Sequence, residues 1–407
     1  MKKILLITLA VVLIIVGGIW FYLFIFGAPA SSQEFFADLG FGSSIQPTQF
    51  DPNNFQNDVL VEDVTTGIDE TKALNLLTIR PVAGAVVVGT STDHQVVRYM
   101  ERGTGQIREI DLASNNERLL SDIVVAQTTQ ATWSHDGTQV VVESGNTTNK
   151  QVQLLSWQKD TGVSDISEQG QFISTELAPD AYDFAFSDDT KNLYYLRTDA
   201  KGSFGYSYSL TTHKPTVIFS LPFIAPNVEW TDVPLIFNRP GEKQDGYAYR
   251  LVKGDLQSAG PGGESLVAKA FYNTGSVLSS VIEGSLRGIY SGNKKFDVAI
   301  PAIPEKCVSG SNESKKIFCA YPIEQTGNLP TDWYKGVTKL QDYLWTIDVD
   351  ENSPNRGTAS VISDFTSESG QIIDAVAMDI DETFTRLIFR DKYSHALWMY
   401  DTNISKN

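Results

Sequence analysis

Short self-similar segments recur along the chain, and this repetition restricts its fold more than any other feature. Residues 131–137, Ala-Thr-Trp-Ser-His-Asp-Gly, precede the apolar run 140–142. Residues 184–189, Phe-Ala-Phe-Ser-Asp-Asp, precede the apolar run 193–196, and the two segments lie 53 residues apart. An interval of this size is typical of the four-stranded blade of a β-propeller.

A second motif repeats at the same interval. Leu-Trp-Thr-Ile-Asp at 344–348 resembles Leu-Trp-Met-Tyr-Asp at 397–401, again 53 residues apart. Between these motifs the chain consists of short β-branched and aromatic runs separated by Gly, Asn, Asp and Ser, a pattern that favours strands and turns. We therefore predict an all-β fold, a β-propeller of about seven four-stranded blades over residues 71–403, with six or eight blades left open. The blades are expected to start near Val82, Thr128, Ala181, Pro226, Phe271, Pro304 and Gln371.

The ends of such a ring need a closing contact, because an open sheet edge invites aggregation. Residues 72–79 have the composition of a strand and lie before the first blade. We expect them to pair with the final blade.

The N-terminal residues predict a membrane anchor. Residues 4–26 form an apolar run of 23 residues after a tip, residues 1–3, that contains Lys2 and Lys3. As a helix the run would span roughly 34 Å, enough for a bilayer core. The positive-inside rule then leaves the N-terminus in the cytoplasm and the propeller outside, at the cell membrane. Cleavage after Ala28-Pro29-Ala30, as a signal peptide, is the alternative.

Residues 27–70 are rich in Ser, Gln, Asn, Asp, Pro and Gly. Such a composition cannot bury enough apolar surface to offset the entropy of ordering. We expect a flexible extracytoplasmic linker that gives the propeller reach above the bilayer.

The charge of the chain limits its partners. It has 49 acidic and 32 basic residues and a formal net charge of −17. A negative field of this size repels phosphate backbones, which argues against nucleic acid as a partner. It is also what a soluble, exported surface requires.

Two cysteines flank a polar turn. Cys307 and Cys319 lie on either side of residues 309–315, where a hairpin would place two strands side by side. In an oxidising compartment this arrangement predicts a structural disulfide, and two buried free thiols are the alternative.

No residue pattern specifies catalysis, a cofactor or a metal site. The chain contains no Gly-x-Ser-x-Gly nucleophile motif and no phosphate-binding loop. The cysteines are too few for a zinc site, and the histidines are scattered, at His94, His135, His213 and His395. We predict no catalytic residues, no cofactor and no bound metal.

The aromatic-Ser-x-Asp-Gly repeats resemble those of TolB-like, WD-repeat-like propellers. Local stretches at 81–85, 98–105, 304–307, 319–322 and 332–336 are similar to an uncharacterised bacterial family of single-pass, membrane-anchored β-propellers. The resemblance implies a fold and a topology, and it implies no activity.

One segment is a candidate contact surface. Asp332, Trp333, Tyr334 and Lys335 follow two prolines in the longest insertion, and aromatic residues are enriched at binding hot spots. Packing of Trp333 and Tyr334 onto their own blade is the alternative.

We expect a non-enzymatic module that binds another envelope protein or a cell-wall component. A glycan-processing hydrolase or lyase with carboxylates in the propeller funnel is the second hypothesis.

Overall fold

The computed structural model describes residues 66–404, except 90–94, 160–169, 223, 232, 239–244, 260–262, 265, 272–275, 281–285, 290–294, 299, 301–302, 310–314, 325–328, 351 and 382. The predicted cytoplasmic tip, the membrane span 4–26 and all but the last residues of the linker 27–70 lie outside the described residues. Within the described part of the chain, no helix combines the length and the apolar character needed to cross a bilayer.

The described residues form seven four-stranded antiparallel sheets, numbered here in chain order, and one two-stranded sheet. A first strand, β1 (Leu74–Thr78), precedes sheet 1. Sheet 1 contains β2 (Val82–Val88), β3 (Val96–Glu101), β4 (Ile107–Asp111) and β5 (Glu117–Leu119). Sheet 2 contains β6 (Thr128–Trp133), β7 (Gln139–Ser144), β8 (Gln151–Lys159) and β9 (Gly170–Glu176). Sheet 3 contains β10 (Tyr182–Phe186), β11 (Asn192–Asp199), β12 (Gly202–Ser209) and β13 (Lys214–Leu221).

Sheet 4 is interrupted by a short ribbon. The sheet consists of β14 (Asn227–Glu229), β15 (Leu235–Phe237), β17 (Ala248–Val252) and β18 (Asp255–Ser258), while the ribbon pairs β16 (Asp245–Gly246) with β19 (Gly263–Glu264). Sheet 5 contains β20 (Val267–Phe271), β21 (Ser276–Ser280), β22 (Leu286–Ile289) and β23 (Lys295–Asp297). Sheet 6 contains β24 (Cys307–Ser309), β25 (Lys316–Tyr321), β26 (Tyr343–Asp348) and β27 (Ala359–Asp364). Sheet 7 contains β28 (Ala375–Ile380), β29 (Arg386–Asp391) and β30 (Leu397–Asp401), and it is completed by β1.

Helical residues are few in the described part of the chain. A 3₁₀ turn occupies Pro304–Lys306 ahead of sheet 6. There are also two short helices. The first, α1 (Thr331–Tyr334), lies between β25 and β26 of sheet 6. The second, α2 (Phe365–Ser369), connects β27 of sheet 6 to β28 of sheet 7. The all-β class and the four-stranded sheets of a β-propeller are thus confirmed, and the number of sheets lies within the expected range of six to eight.

The ring closes as expected from the sequence. β1 pairs antiparallel with β30, so the earliest described strand completes the last sheet. The inner strand β28 of sheet 7 also contacts the inner strand β2 of sheet 1. Both ends of the propeller are therefore held in one sheet, in which β1 covers the edge of β30.

The repeated Ser-x-Asp motif forms the same turn in two sheets. In sheet 2, the Ser134 hydroxyl donates to Asp136 Oδ1 at 2.7 Å and accepts from the Gln139 amide at 2.9 Å. In sheet 3, the Ser187 hydroxyl donates to Asp189 Oδ1 at 2.7 Å, and it accepts from an amide five residues later at 3.0 Å. The motif is visible in the sequence because these side chains satisfy the backbone groups of each inner hairpin locally.

Tryptophans in the repeats join neighbouring sheets. Trp133 Nε1 donates to the Gly84 carbonyl of sheet 1 at 3.1 Å. A Cβ on Gly84 would lie 1.9 Å from the Ala131 carbonyl oxygen, so a glycine is required where the two inner strands approach. Neighbouring sheets also share their apolar core, because Val141 and Leu154 of sheet 2 pack with Leu193 of sheet 3.

Candidate ligand-binding site

A pocket of about 590 Å³ lies between sheets 3 and 4. Its walls include four aromatic side chains, Phe186, Tyr194, Phe219 and Trp230. Its volume is in the range typical of pockets for small molecules, roughly 300–1,000 Å³.

Trp230 is fixed at the centre of this wall. Its Nε1 donates to the Asp183 carbonyl at 2.9 Å, the counterpart of the contact between Trp133 and Gly84. Asp183 has a positive φ of 58° within the inner strand β10, and its carboxylate accepts from the Val228 amide at 2.7 Å. The β-bulge at Asp183 therefore positions both the indole of Trp230 and β14, the strand that precedes Trp230.

Two rings of sheet 3 stack against this indole. The Tyr194 ring lies 5.4 Å from Trp230 with an interplanar angle of 13°, and the Phe219 ring lies 5.7 Å away at 28°. Gly205 makes room for Phe219, because a Cβ there would lie 2.3 Å from the phenyl ring. Tyr194, Phe219 and Trp230 therefore form one wall of stacked aromatic rings.

The rim of the pocket is polar and acidic. Ser187, Asp188 and Asp189 of the β10–β11 turn line it, together with Thr231. Hydrogen bonds from Lys191 and Ser187 lower the pKa of Asp189 to about 2, so this carboxylate is charged at neutral pH. Asp188 is exposed beside it. Aromatic faces and carboxylates together can hold a cation or hydrogen-bond a neutral polar group.

The tryptophan of the predicted contact segment, Trp333, is buried and hydrogen-bonded to a carboxylate. Trp333 is 5 % exposed, and its Nε1 donates to both carboxylate oxygens of Asp374, at 2.9 and 3.0 Å. The burial of Trp333 agrees with the alternative, packing onto its own blade, because the buried Asp374 carboxylate accepts its indole N–H. Asp332 and Tyr334 are half-buried and Lys335 is exposed, and a partner contact through these three residues stays a prediction.

Trp333 belongs to a buried ionic cluster that the sequence did not reveal. Lys306 Nζ contacts Asp342 Oδ2 at 2.7 Å and also donates to Asp374, and all three side chains have no exposed surface. The Leu340 amide donates to Asp374 at 3.0 Å. The cluster joins sheet 6 to the beginning of sheet 7 and holds the insertion against both.

The cluster also contains an electrostatically perturbed carboxyl group. Burial raises the pKa of Asp342 to about 6, although Lys306 attracts the ionised form. The Ala375 amide donates to Asp342 Oδ2 at 2.7 Å. Because the cluster is sealed from solvent, its role is structural rather than ligand binding.

The disulfide is confirmed. Cys307 and Cys319 are bonded and are register partners in β24 and β25, the hairpin expected from the sequence. Both cysteines have no exposed surface. The bond therefore reinforces sheet 6 next to Lys306.

A separate carboxylate lies on the inner strand of sheet 7. Desolvation raises the pKa of Asp379, whose Oδ2 accepts from the Val87 amide of sheet 1 at 3.2 Å. His135 is near enough to act on this pKa in the opposite direction. Asp381, by contrast, is 1 % exposed and is occupied by the amides of Thr385 and Arg386 at 2.7 and 2.9 Å. One inner-strand carboxylate, rather than a pair, is thus available here for chemistry.

No group of three or more His, Cys, Asp or Glu side chains with metal-binding geometry occurs in the described ranges. The aromatic pocket was not predicted as a site. Phe186 and Trp230 lie within the repeats that identified the blades, so the sequence showed them as fold residues only.

Comparison of the sequence with known protein families and with curated proteins finds no match. Solved structures do resemble the chain. An oligogalacturonate lyase from Vibrio parahaemolyticus superposes with a TM-score of 0.53 at 8 % identity, over 83 % of this chain and 95 % of the lyase. The β-propeller domain of the Trilobed protease from Pyrococcus furiosus gives 0.49 at 10 % identity, over 80 % and 97 %.

A functionally unknown protein from Desulfotomaculum acetoxidans gives a TM-score of 0.45 at 14 % identity, over 78 % of this chain and 92 % of that protein. At such identities a likeness carries the fold and no activity. The chain is thus a β-propeller.

Proposed function

We propose that the chain is a membrane-anchored, extracytoplasmic binding module that holds a basic side chain of a protein partner in the pocket between sheets 3 and 4. The observation that carries this proposal is the aromatic wall of Tyr194, Phe219 and Trp230 beside the acidic rim at Asp188 and Asp189.

The chemistry of the pocket suits a lysine or arginine side chain. A cation over the face of a tryptophan or tyrosine gains about 0.5–2 kcal/mol, more as it is desolvated. The exposed carboxylate of Asp188 adds attraction at the entrance, while Asp189 is already paired with Lys191 Nζ at 2.9 Å. The aliphatic stem of such a side chain packs well on aromatic rings.

The net charge of the chain extends this preference over longer distances. A formal charge of −17 attracts basic partners and repels acidic polymers of a cell wall. It therefore favours an envelope protein over an anionic wall component as the partner. The apolar run 4–26 and the polar linker 27–70 support a tethered module, since a tether raises the local concentration of a weak binding site.

The proposal is tested by site-specific photo-crosslinking. Ile218 lines the pocket and is 45 % exposed, so a benzoyl-phenylalanine placed there in the full chain, in its native host, reports on whatever enters. Val217, the preceding residue of β13, is 50 % exposed and lies outside the pocket lining, so it is the matched control position. We expect a protein adduct from position 218 and none of that mass from position 217.

Charge reversal at the rim supplies a second arm that leaves the fold intact. Asp188→Lys should reduce the adduct at position 218 at least tenfold, because it places a like charge against the incoming cation. Asp122→Lys, an equal change at another exposed aspartate, should leave the adduct unchanged.

The second candidate, a glycan-processing enzyme, has one observation in its favour. Asp379 has a raised pKa beside His135 near the ring's inner strands, as a general acid would. If this carboxyl is catalytic, the full chain cleaves neutral or acidic oligosaccharides, and Asp379→Asn abolishes the cleavage. The binding proposal predicts no cleavage products by mass spectrometry from either protein.

A further inference from the structure

Three residues with cationic or potentially cationic side chains, Arg102, Arg390 and His395, meet where sheets 7 and 1 join, and their charges act on one another. The backbone amide of Arg102 donates to the Pro81 carbonyl at 2.6 Å, and the Val82 amide donates to the His395 carbonyl at 2.9 Å. Arg390 Nη1 donates to the Val82 carbonyl at 2.8 Å. Arg102, Arg390 and His395 are thus all hydrogen-bonded to Pro81 or Val82, and Arg102 is far along the chain from the other two.

Two polar atoms of this group are buried without a protein partner. Arg390 Nε and His395 Nδ1 make no hydrogen bond to any described residue, although both atoms are shielded from solvent. Leaving a buried donor unpaired costs about 1–3 kcal/mol, so such atoms are expected to have a ligand. The three side chains are half-buried and so remain within reach of a small solute.

No described carboxylate forms a direct contact with either guanidinium, although the charge of Asp391 attracts both Arg390 and His395. Arg102 Nη1 donates a hydrogen bond to the Thr129 carbonyl at 3.0 Å. Neither Arg102 nor Arg390 forms a salt bridge in the described part of the chain. The neighbouring carboxylate, Asp391, is engaged elsewhere. Its Oδ1 accepts from the Asp374 amide at 2.9 Å, and its Oδ2 accepts from the Ser394 amide and hydroxyl at 2.7 and 2.8 Å.

The mutual repulsion of these groups is strong. Burial and the charge of Arg102 lower the pKa of Arg390 to about 10. Burial and both arginines lower the pKa of His395 to about 4, against the opposing attraction of Asp391. Two guanidinium groups whose neighbouring carboxylate, Asp391, is hydrogen-bonded to other groups form an arrangement that an anion would stabilise.

We propose that Arg102, Arg390 and His395 form a binding site for a small oxyanion, a carboxylate or a phosphate group. The planar guanidinium of Arg390 presents Nε toward the ligand, Arg102 supplies a second guanidinium, and His395 donates through Nδ1. This site is independent of the aromatic pocket, since it lies between sheets 7 and 1 rather than between sheets 3 and 4.

The test uses the Arg390 Nε–H signal in ¹H–¹⁵N spectra of the full chain at pH 7, assigned by its absence in Arg390→Lys. Inorganic phosphate and sodium acetate are titrated separately at constant ionic strength with chloride as the filler. A saturable shift with phosphate alone identifies a phosphate-type ligand, one with acetate alone a carboxylate, and either supports the site. Arg102→Gln should weaken the response at least tenfold, and His395→Asn should weaken it as well.

Arg197 provides the internal control. Its Nε already donates to the Asp180 carboxylate at 2.9 and 3.0 Å, so its signal should not respond to either anion. Absence of a saturable shift at Arg390 with both anions, or the same linear drift at Arg390 and Arg197, overturns the proposal. If Arg102→Gln is poorly folded, the melting temperature of the wild type is measured instead. The proposal then requires that phosphate or acetate raise this Tm relative to chloride at the same ionic strength.

Discussion

Replacing Lys306 with methionine is expected to lower the free energy of unfolding by about 3–5 kcal/mol, the usual cost of removing one partner from a buried ion pair. The ammonium group contacts both Asp342 and Asp374, and none of the three side chains has exposed surface. Methionine fills the space of the lysine stem but leaves two buried carboxylates without their cation. Urea denaturation of the two proteins at pH 7 measures the difference.

Lys316, at the start of β25 in sheet 6, provides the matched control. Lys316 is exposed, ten residues along the chain, and Lys316→Met should change the free energy of unfolding by less than about 0.5 kcal/mol. A loss below about 1 kcal/mol for Lys306→Met would contradict the cluster as described, because it would mean that the carboxylates do not depend on Lys306.

Removing the disulfide should have the second largest effect on stability. Cys307 and Cys319 are 12 residues apart, and a crosslink of this loop length stabilises a fold by about 3 kcal/mol through the entropy of the unfolded chain. The double variant Cys307→Ser, Cys319→Ser should therefore lose about that amount in urea denaturation. Two buried serine hydroxyls in place of the sulfurs add to the loss.

The control for this variant is the wild type unfolded in the presence of a reductant. The free energy of unfolding of the wild type should then fall by a similar amount. The same reductant should not change the free energy of unfolding of the double variant. Mass spectrometry of unreduced protein tests the bond itself. Recovery of two alkylated thiols from native, unreduced protein would contradict the assignment.

The fold was largely predictable because its determinants are local. Ser134 and Ser187 bond to aspartates two residues later, so the residues that form this turn lie within a few positions of one another and recur in sheets 2 and 3. The expected blade starts at Val82 and Thr128 coincide with the first residues of β2 and β6, and the remaining inner strands begin within four residues of their predicted starts.

The sites were not predictable because their parts are distant in sequence. Lys306 and Asp374 are 68 residues apart, and Trp230 meets the Asp183 carbonyl 47 residues away. The sequence left the burial of Trp333 open for the same reason, since it does not show that Asp374 supplies a buried acceptor. Aromatic residues in the repeats serve the core and the pocket alike, and only the placement of sheets 3 and 4 separates the two roles.

The central claim is that a basic side chain of a protein partner occupies the pocket between sheets 3 and 4. Its most direct test is mass spectrometry of the adduct formed by the photo-reactive residue at position 218. We predict a peptide from an envelope protein with a lysine or arginine next to the crosslinked position, lost in Asp188→Lys and kept in Asp122→Lys. A carbohydrate adduct, or the same adducts from positions 217 and 218, would contradict it.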